Sequence, residues 1–81
     1  MIGKQEIADR ANKALAEEFE IEISNISSGA NIKETLDLDS LGLVDMVALV
    51  ETMFGVKIPA QEVTSIVTFE NLYDFIYKKL N

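Results

Sequence analysis

The stretch Leu36-Asp37-Leu38-Asp39-Ser40-Leu41-Gly42 decides how this chain is read, because an irregular polar connection changes there into a strongly apolar helix. Asp39 is suited to cap that helix, since its carboxylate can accept hydrogen bonds from first-turn backbone N–H groups that have no partner within the helix. Ser40 then falls in the first turn, with its hydroxyl at the positive end of the helix dipole, where an attached phosphate is electrostatically favoured. Local physics alone favours a plain cap, because an aspartate and serine before an apolar run are a very common helix start.

Downstream, the spacing predicts a helix from about Ser40 to Phe54 that is too apolar for one buried face. At about 100° per residue, the densest arc holds Leu43, Met46, Val47, Val50 and Phe54, and these are assigned to the core. A second strip, Leu41, Val44 and Ala48, lies beside Ser40 with Asp45 and Glu51 nearby. It is open to two readings: packing under a neighbouring helix, or a docking surface in which a partner buries Leu41 and Val44 and pairs basic groups with Asp45 and Glu51. Charge favours docking. Between Glu34 and Val56 there are five acidic residues and no Lys or Arg.

Further along, Gly55 is placed to end this helix in the left-handed conformation, and Ile58-Pro59 sets an extended step. Ala60 to Ile66 reads as a short third helix with Val63 and Ile66 turned inward. Thr68 can cap a fourth helix ending near Leu80, with Phe69, Leu72, Tyr73, Ile76 and Leu80 on one face and Lys78-Lys79 near the negative end of its dipole. Upstream, Ile7, Ala11, Ala14, Leu15 and Phe19 line one face of a first helix over about Lys4 to Glu20. A long connection from about Ile21 to Leu38 carries turn residues between isolated apolar ones, with a short helical turn around Ile32 to Thr35. No stretch alternates as a strand does. The expected fold is all-α, a single domain over residues 1–81: a small four-helix bundle of three longer helices and a short third one, with a long loop between the first two.

Composition narrows the chemistry. With 48% hydrophobic residues in 81, the chain is apolar enough for one packed core. Fourteen acidic against seven basic residues give a net charge of −7, which disfavours nucleic acid and anionic membranes and favours basic partners. The absence of Cys and His removes disulfides, the usual zinc ligands, thiol nucleophiles and the commonest general base. Ser40 lacks the histidine and the strand-to-helix elbow of a hydrolase nucleophile. Asp37, Asp39 and Gly42 match positions 1, 3 and 6 of an EF-hand, but Leu41 and Ala48 stand where positions 5 and 12 need oxygen ligands, so no structural metal site is expected. Without an apolar leader or a bilayer-length apolar run, a soluble, cytoplasmic, monomeric protein is expected.

The segment Leu36 to Leu41, followed by Val44, Asp45, Val47, Val50, Glu51, Phe54 and Ile58-Pro59, resembles the acyl carrier protein family over nearly the whole chain. The resemblance implies that Ser40, in the motif with Asp39, carries a 4′-phosphopantetheine arm placed there from coenzyme A by a phosphopantetheinyl transferase. The chain would then be no enzyme itself. It would carry acyl groups as thioesters to partner enzymes of lipid, lipopolysaccharide or secondary-metabolite biosynthesis. Implied partners are acyl- or aminoacyl-activating, transferring and synthase enzymes with basic docking patches. Acyl tails would enter the interior against Met46, Val47, Val50, Ile66 and Ile76, with Phe54 and Tyr73 limiting the depth. Asp37 replaces a glycine usual in the family two residues before the motif aspartate, and Gly42 is similar to that of some specialised carriers, including D-alanine carriers. An aminoacyl carrier is therefore the alternative, and an unmodified acidic helical adaptor is the competitor from another class.

Overall fold

Ile7, Ala11 and Leu15 form the buried stripe of the first helix, α1 (Lys4–Glu18), in a computed structural model that describes residues 2–81. This helix stops two residues short of the expected Glu20. Glu20 takes a left-handed conformation at φ 55°, and the Ile21 N–H donates to the Ala16 carbonyl at 3.0 Å. That reversal satisfies a terminal carbonyl and turns the half-buried Ile21 toward the core.

The long connection is more ordered than its turn residues suggest. It holds a 3-10 turn, Ile23–Asn25, and a five-residue α-helix, α2 (Ile32–Leu36), where the sequence suggested one helical turn. The Asn31 side chain accepts from the Glu34 N–H at 3.0 Å and starts α2. Ile26, Ile32 and Leu36 are buried, so the isolated apolar residues pin the connection down onto the bundle.

The apolar helix is α3 (Ser40–Phe54), with the expected bounds. Gly55 ends it at φ 67°, its N–H donating to the Glu51 carbonyl at 2.9 Å. After Pro59 comes α4 (Ala60–Val63), shorter than the expected 60–66. The Thr64 and Ser65 hydroxyls donate to the carbonyls of Gln61 and Glu62, at 3.0 and 2.9 Å, and so close the turn rather than extend it. The last helix is α5 (Phe69–Leu80). Its capping box is complete: Thr68 Oγ1 accepts from the Asn71 N–H at 3.2 Å, while Asn71 Oδ1 accepts from the N–H groups of Thr68 and Val67.

The caps of α2 and α5 meet. Asn31 and Thr68 form an isolated antiparallel bridge, with Ile32 N–H donating to the Val67 carbonyl at 2.9 Å and Phe69 N–H to the Ala30 carbonyl at 3.2 Å. Three long and two short α-helices thus enclose one core, and no strand occurs among the described residues. Its fully buried centre is Ile7, Leu15, Ile32, Val50, Phe69, Leu72 and Ile76. Within α3 only Met46 and Val50 are buried. The other expected core residues of that arc, Leu43, Val47 and Phe54, are half-buried at its margin.

Candidate functional site

Asp39 is extended at φ −97° and ψ −169°, and its Oδ1 accepts from the Gly42 N–H at 2.7 Å. One orphan donor of the first turn is satisfied, and the cap fixes where α3 begins. Gly42 allows a close approach. A Cβ there would lie 3.1 Å from Leu38 Cδ2 and 3.3 Å from the capping Asp39 Oδ1, so a larger residue is accommodated where these two side chains give way slightly.

Ser40 is exposed as the first residue of α3. Among the described residues no hydrogen bond engages its hydroxyl, which is open to an approaching reagent. The residues beside it are open too: Leu41 is 76% exposed and Val44 64%. Asp45 and Ala48 are also exposed. The strip is therefore not covered by a neighbouring helix, which removes one of its two readings. Glu51 differs from the rest. It is half-buried, and its Oε2 accepts from the Ile58 N–H at 2.7 Å.

Between α3 and α4 runs an open, mainly apolar groove of about 460 Å³. Leu43, Val44, Val47, Ala48 and Glu51 form one wall, and Ile58, Ala60, Val63 and Thr64 the other. A smaller cleft of about 200 Å³ lies beside it, where Leu43 and Val63 meet Ile66, Val67, Asn31 and Lys33. The pocket walls expected from sequence are divided by this arrangement. Val47 reaches the groove and Ile66 the cleft. Met46, Val50 and Ile76 are sealed in the core at 0–2% exposure, and Phe54 is half-buried against it.

Tyr73, expected as a limit on pocket depth, lines neither the groove nor the cleft. It lies on the α5 face turned to α1, where its hydroxyl donates to Asn12 Oδ1. There it lines a different hollow, with Lys4, Gln5, Ala8 and Ser28. Burial, above all, pushes its pKa above the usual tyrosine value. The sequence reading missed Leu43, Ile58, Ala60 and Thr64 as groove residues. Helical spacing turns Leu43 inward without distinguishing core from groove, and Ile58 stands out as the apolar residue before Pro59, whereas Ala60 and Thr64 carry no local signal.

A phosphodiester-linked arm fits this site. An unencumbered primary hydroxyl sits at a capped helix start, where N–H groups and the dipole stabilise added negative charge. The exposed Leu41 and Val44 border the approach to that hydroxyl.

Similarity to known proteins agrees with that chemistry. A family model described as the phosphopantetheine attachment site matches residues 10–76. The acyl carrier protein of Rubrobacter xylanophilus is 30% identical over 75 residues, covering 93% of each chain. That of Thermotoga maritima is 31% identical over 80 residues, covering 99% of each. Among solved structures, the acyl carrier protein of Enterococcus faecalis aligns with a TM-score of 0.79 at 26% identity, over 96% of this chain and 99% of the other.

Proposed function

The chain belongs to the acyl carrier protein family, defined by the phosphopantetheine attachment site, and from that premise we propose that Ser40 is the residue that takes the arm. The cofactor of the family is covalently attached 4′-phosphopantetheine, and its members are carriers rather than catalysts. What supports Ser40 is its exposure at the capped start of α3, next to two apolar side chains that face solvent. When bound, the arm supplies the thiol that this cysteine-free chain lacks, so that cargo is held as a thioester.

The chain's own residues do three things in this reading. Asp39 holds the first turn of α3 in place through the Gly42 N–H, so that the hydroxyl of Ser40 is presented at a fixed point. The free N–H groups and dipole of that turn offset the charge of the diester. Leu41, Val44 and Ala48 form an apolar contact for partner enzymes, with Asp45 and the net charge of −7 drawing basic surfaces toward it. Phosphopantetheinyl transferase and the acyl-handling synthases are the expected partners.

The groove between α3 and α4 is mainly apolar and begins one turn from Ser40, at Leu43 and Val44. It suits the hydrocarbon part of an acyl cargo better than the polar ammonium of an aminoacyl one. Lipid, lipopolysaccharide and secondary-metabolite assembly all supply such cargo.

The test is intact-mass analysis after incubation with coenzyme A and a broad-specificity phosphopantetheinyl transferase. Wild type gains one phosphopantetheine and Ser40→Ala gains none. No gain on wild type would leave the unmodified helical adaptor as the reading. A gain that persists in Ser40→Ala would move the arm to another residue.

A further inference from the structure

Residues 56–66 form one wall of the groove, yet they are held to the rest of the molecule in an unusual way. Their backbone N–H groups from Glu62 to Ile66 donate to carbonyls of the same segment: Glu62 and Val63 to Pro59, Ser65 to Glu62, Ile66 to Val63. The Thr64 and Ser65 hydroxyls do likewise. Among the described residues, the hydrogen bond from the Ile58 N–H to Glu51 Oε2, at 2.7 Å, is the one that ties this segment to α3. It is short and charge-assisted, the stronger class of such bonds. Both residues line the groove.

We propose that Glu51 is a positioning residue: by holding the Ile58 N–H it fixes residues 56–63 against α3 and so sets the width of the apolar groove. The proposal rests on the reading above, in which that groove takes the apolar part of the cargo, and it assigns Glu51 to the groove rather than to the docking surface. The geometry supports this assignment. A half-buried carboxylate already bonded to a backbone donor is poorly placed to meet a partner's basic group, whereas exposed Asp45 is free to do so. Ile58, buried at 6% exposure, anchors the same segment through packing. Packing can slide, but a bond from a side chain to one N–H selects a position.

Two variants separate position from charge. Glu51→Gln keeps an acceptor oxygen at the same reach and removes the charge, and Glu51→Ala removes the acceptor. Both are read on the unmodified chain by NMR, through amide hydrogen exchange at Ile58 and methyl shifts of Val47 and Val63 across the groove, with Ile7 and Leu72 amides as core references. The expected result is Ile58 exchange about tenfold or more faster in Glu51→Ala, with shifted Val47 and Val63 methyls, unchanged core references and a clearly smaller change in Glu51→Gln, whose neutral oxygen keeps a weaker bond. Unchanged Ile58 exchange in Glu51→Ala would overturn the proposal. So would equal effects of the two variants, which would assign the role to charge, or acceleration of the core references in step with Ile58, which would make the effect global. Attachment of the arm is not involved in these measurements. If Ser40 fails to accept it, the functional reading falls while the comparison at Ile58 still decides the positioning role.

Discussion

The two halves of this molecule are built differently. Where α1 meets α5, Ile7, Ala11 and Leu15 face Phe69, Leu72 and Ile76, all at 0–1% exposure. The same seam carries the Tyr73 to Asn12 hydrogen bond and a Lys4 to Asp74 ion pair of 2.5 Å. Where α3 meets α4, Leu41 and Val44 stand in solvent, the groove is open, and one carboxylate holds the facing segment. The contrast shows how 81 residues can both fold and expose apolar surface. The closest burial is concentrated at the α1–α5 seam, which leaves the half around Ser40 free to expose an apolar, acidic face.

The sharpest way to break this contrast is to truncate one side chain in each half. Leu72→Ala should destabilise by about 2–5 kcal/mol, a large part of what so small a domain possesses. Val44→Ala should change stability by less than about 0.5 kcal/mol, while slowing transfer of the arm to Ser40. Urea denaturation with parallel loading kinetics checks both. Equal losses of stability would mean that the halves are not distinct.

Next in size are the caps, one in each half. Thr68→Ala and Asp39→Ala should each cost about 1 kcal/mol, measured by the same denaturation. Only Asp39→Ala should also slow loading, because only its cap positions Ser40. If Thr68→Ala slowed loading to the same extent, the start of α5 would be coupled to the site despite the distance between them in sequence.

Tyr73 adds a pH dependence confined to the α1–α5 seam. Burial raises its pKa in the folded state, while in the unfolded chain it titrates near about 10. Its contribution is thus fully present below about pH 10 and is lost as pH rises from there through the folded value. Tyr73→Phe should cost about 1 kcal/mol at neutral pH through the lost Asn12 bond and should lose less stability than wild type between pH 9 and about 11. Parallel losses in the two proteins over that range would place the titration elsewhere.

How much of this was legible in the sequence differs between the halves as well. The stripe Ile7, Ala11, Leu15, the caps Asp39 and Thr68 and the stop at Gly55 are local signals, and each lies where its chemistry requires. The exposed strip Leu41, Val44, Ala48 could be listed from helical angle, but its exposure could not, since that depends on which elements pack against α3. Thr64 and Ser65 shorten α4 through back-bonding that has no period. The spacing of Tyr73 in α5 gives a buried face without saying that the neighbour it meets is α1. Glu51 read as a solvent-facing acid for a related reason: its partner is a backbone N–H seven residues away across a turn.

The smallest predicted effects concern two residues in the left-handed region, one in each half. Glu20, at φ 55°, closes α1, and Asp37, at φ 53°, closes α2 just ahead of the Asp39 cap. The position where the family favours glycine is thus one where the backbone asks for it, and Asp37 meets the demand at some cost. Left-handed backbone costs an ordinary L-residue roughly 1–2 kcal/mol, but a short polar side chain such as aspartate reduces that cost by bonding locally. Glycine removes the strain and adds about 0.5–1 kcal/mol of unfolded-state entropy to be overcome. The balance for Asp37→Gly is therefore close to zero, a gain of at most about 0.5 kcal/mol. Glutamate lacks the short side chain, so Glu20→Gly should gain more, up to about 1 kcal/mol, visible as a higher melting temperature. If Asp37→Gly stabilised more than Glu20→Gly, the strain would be greater beside the site than at the rigid seam, and the division of labour between the halves would extend to the backbone itself.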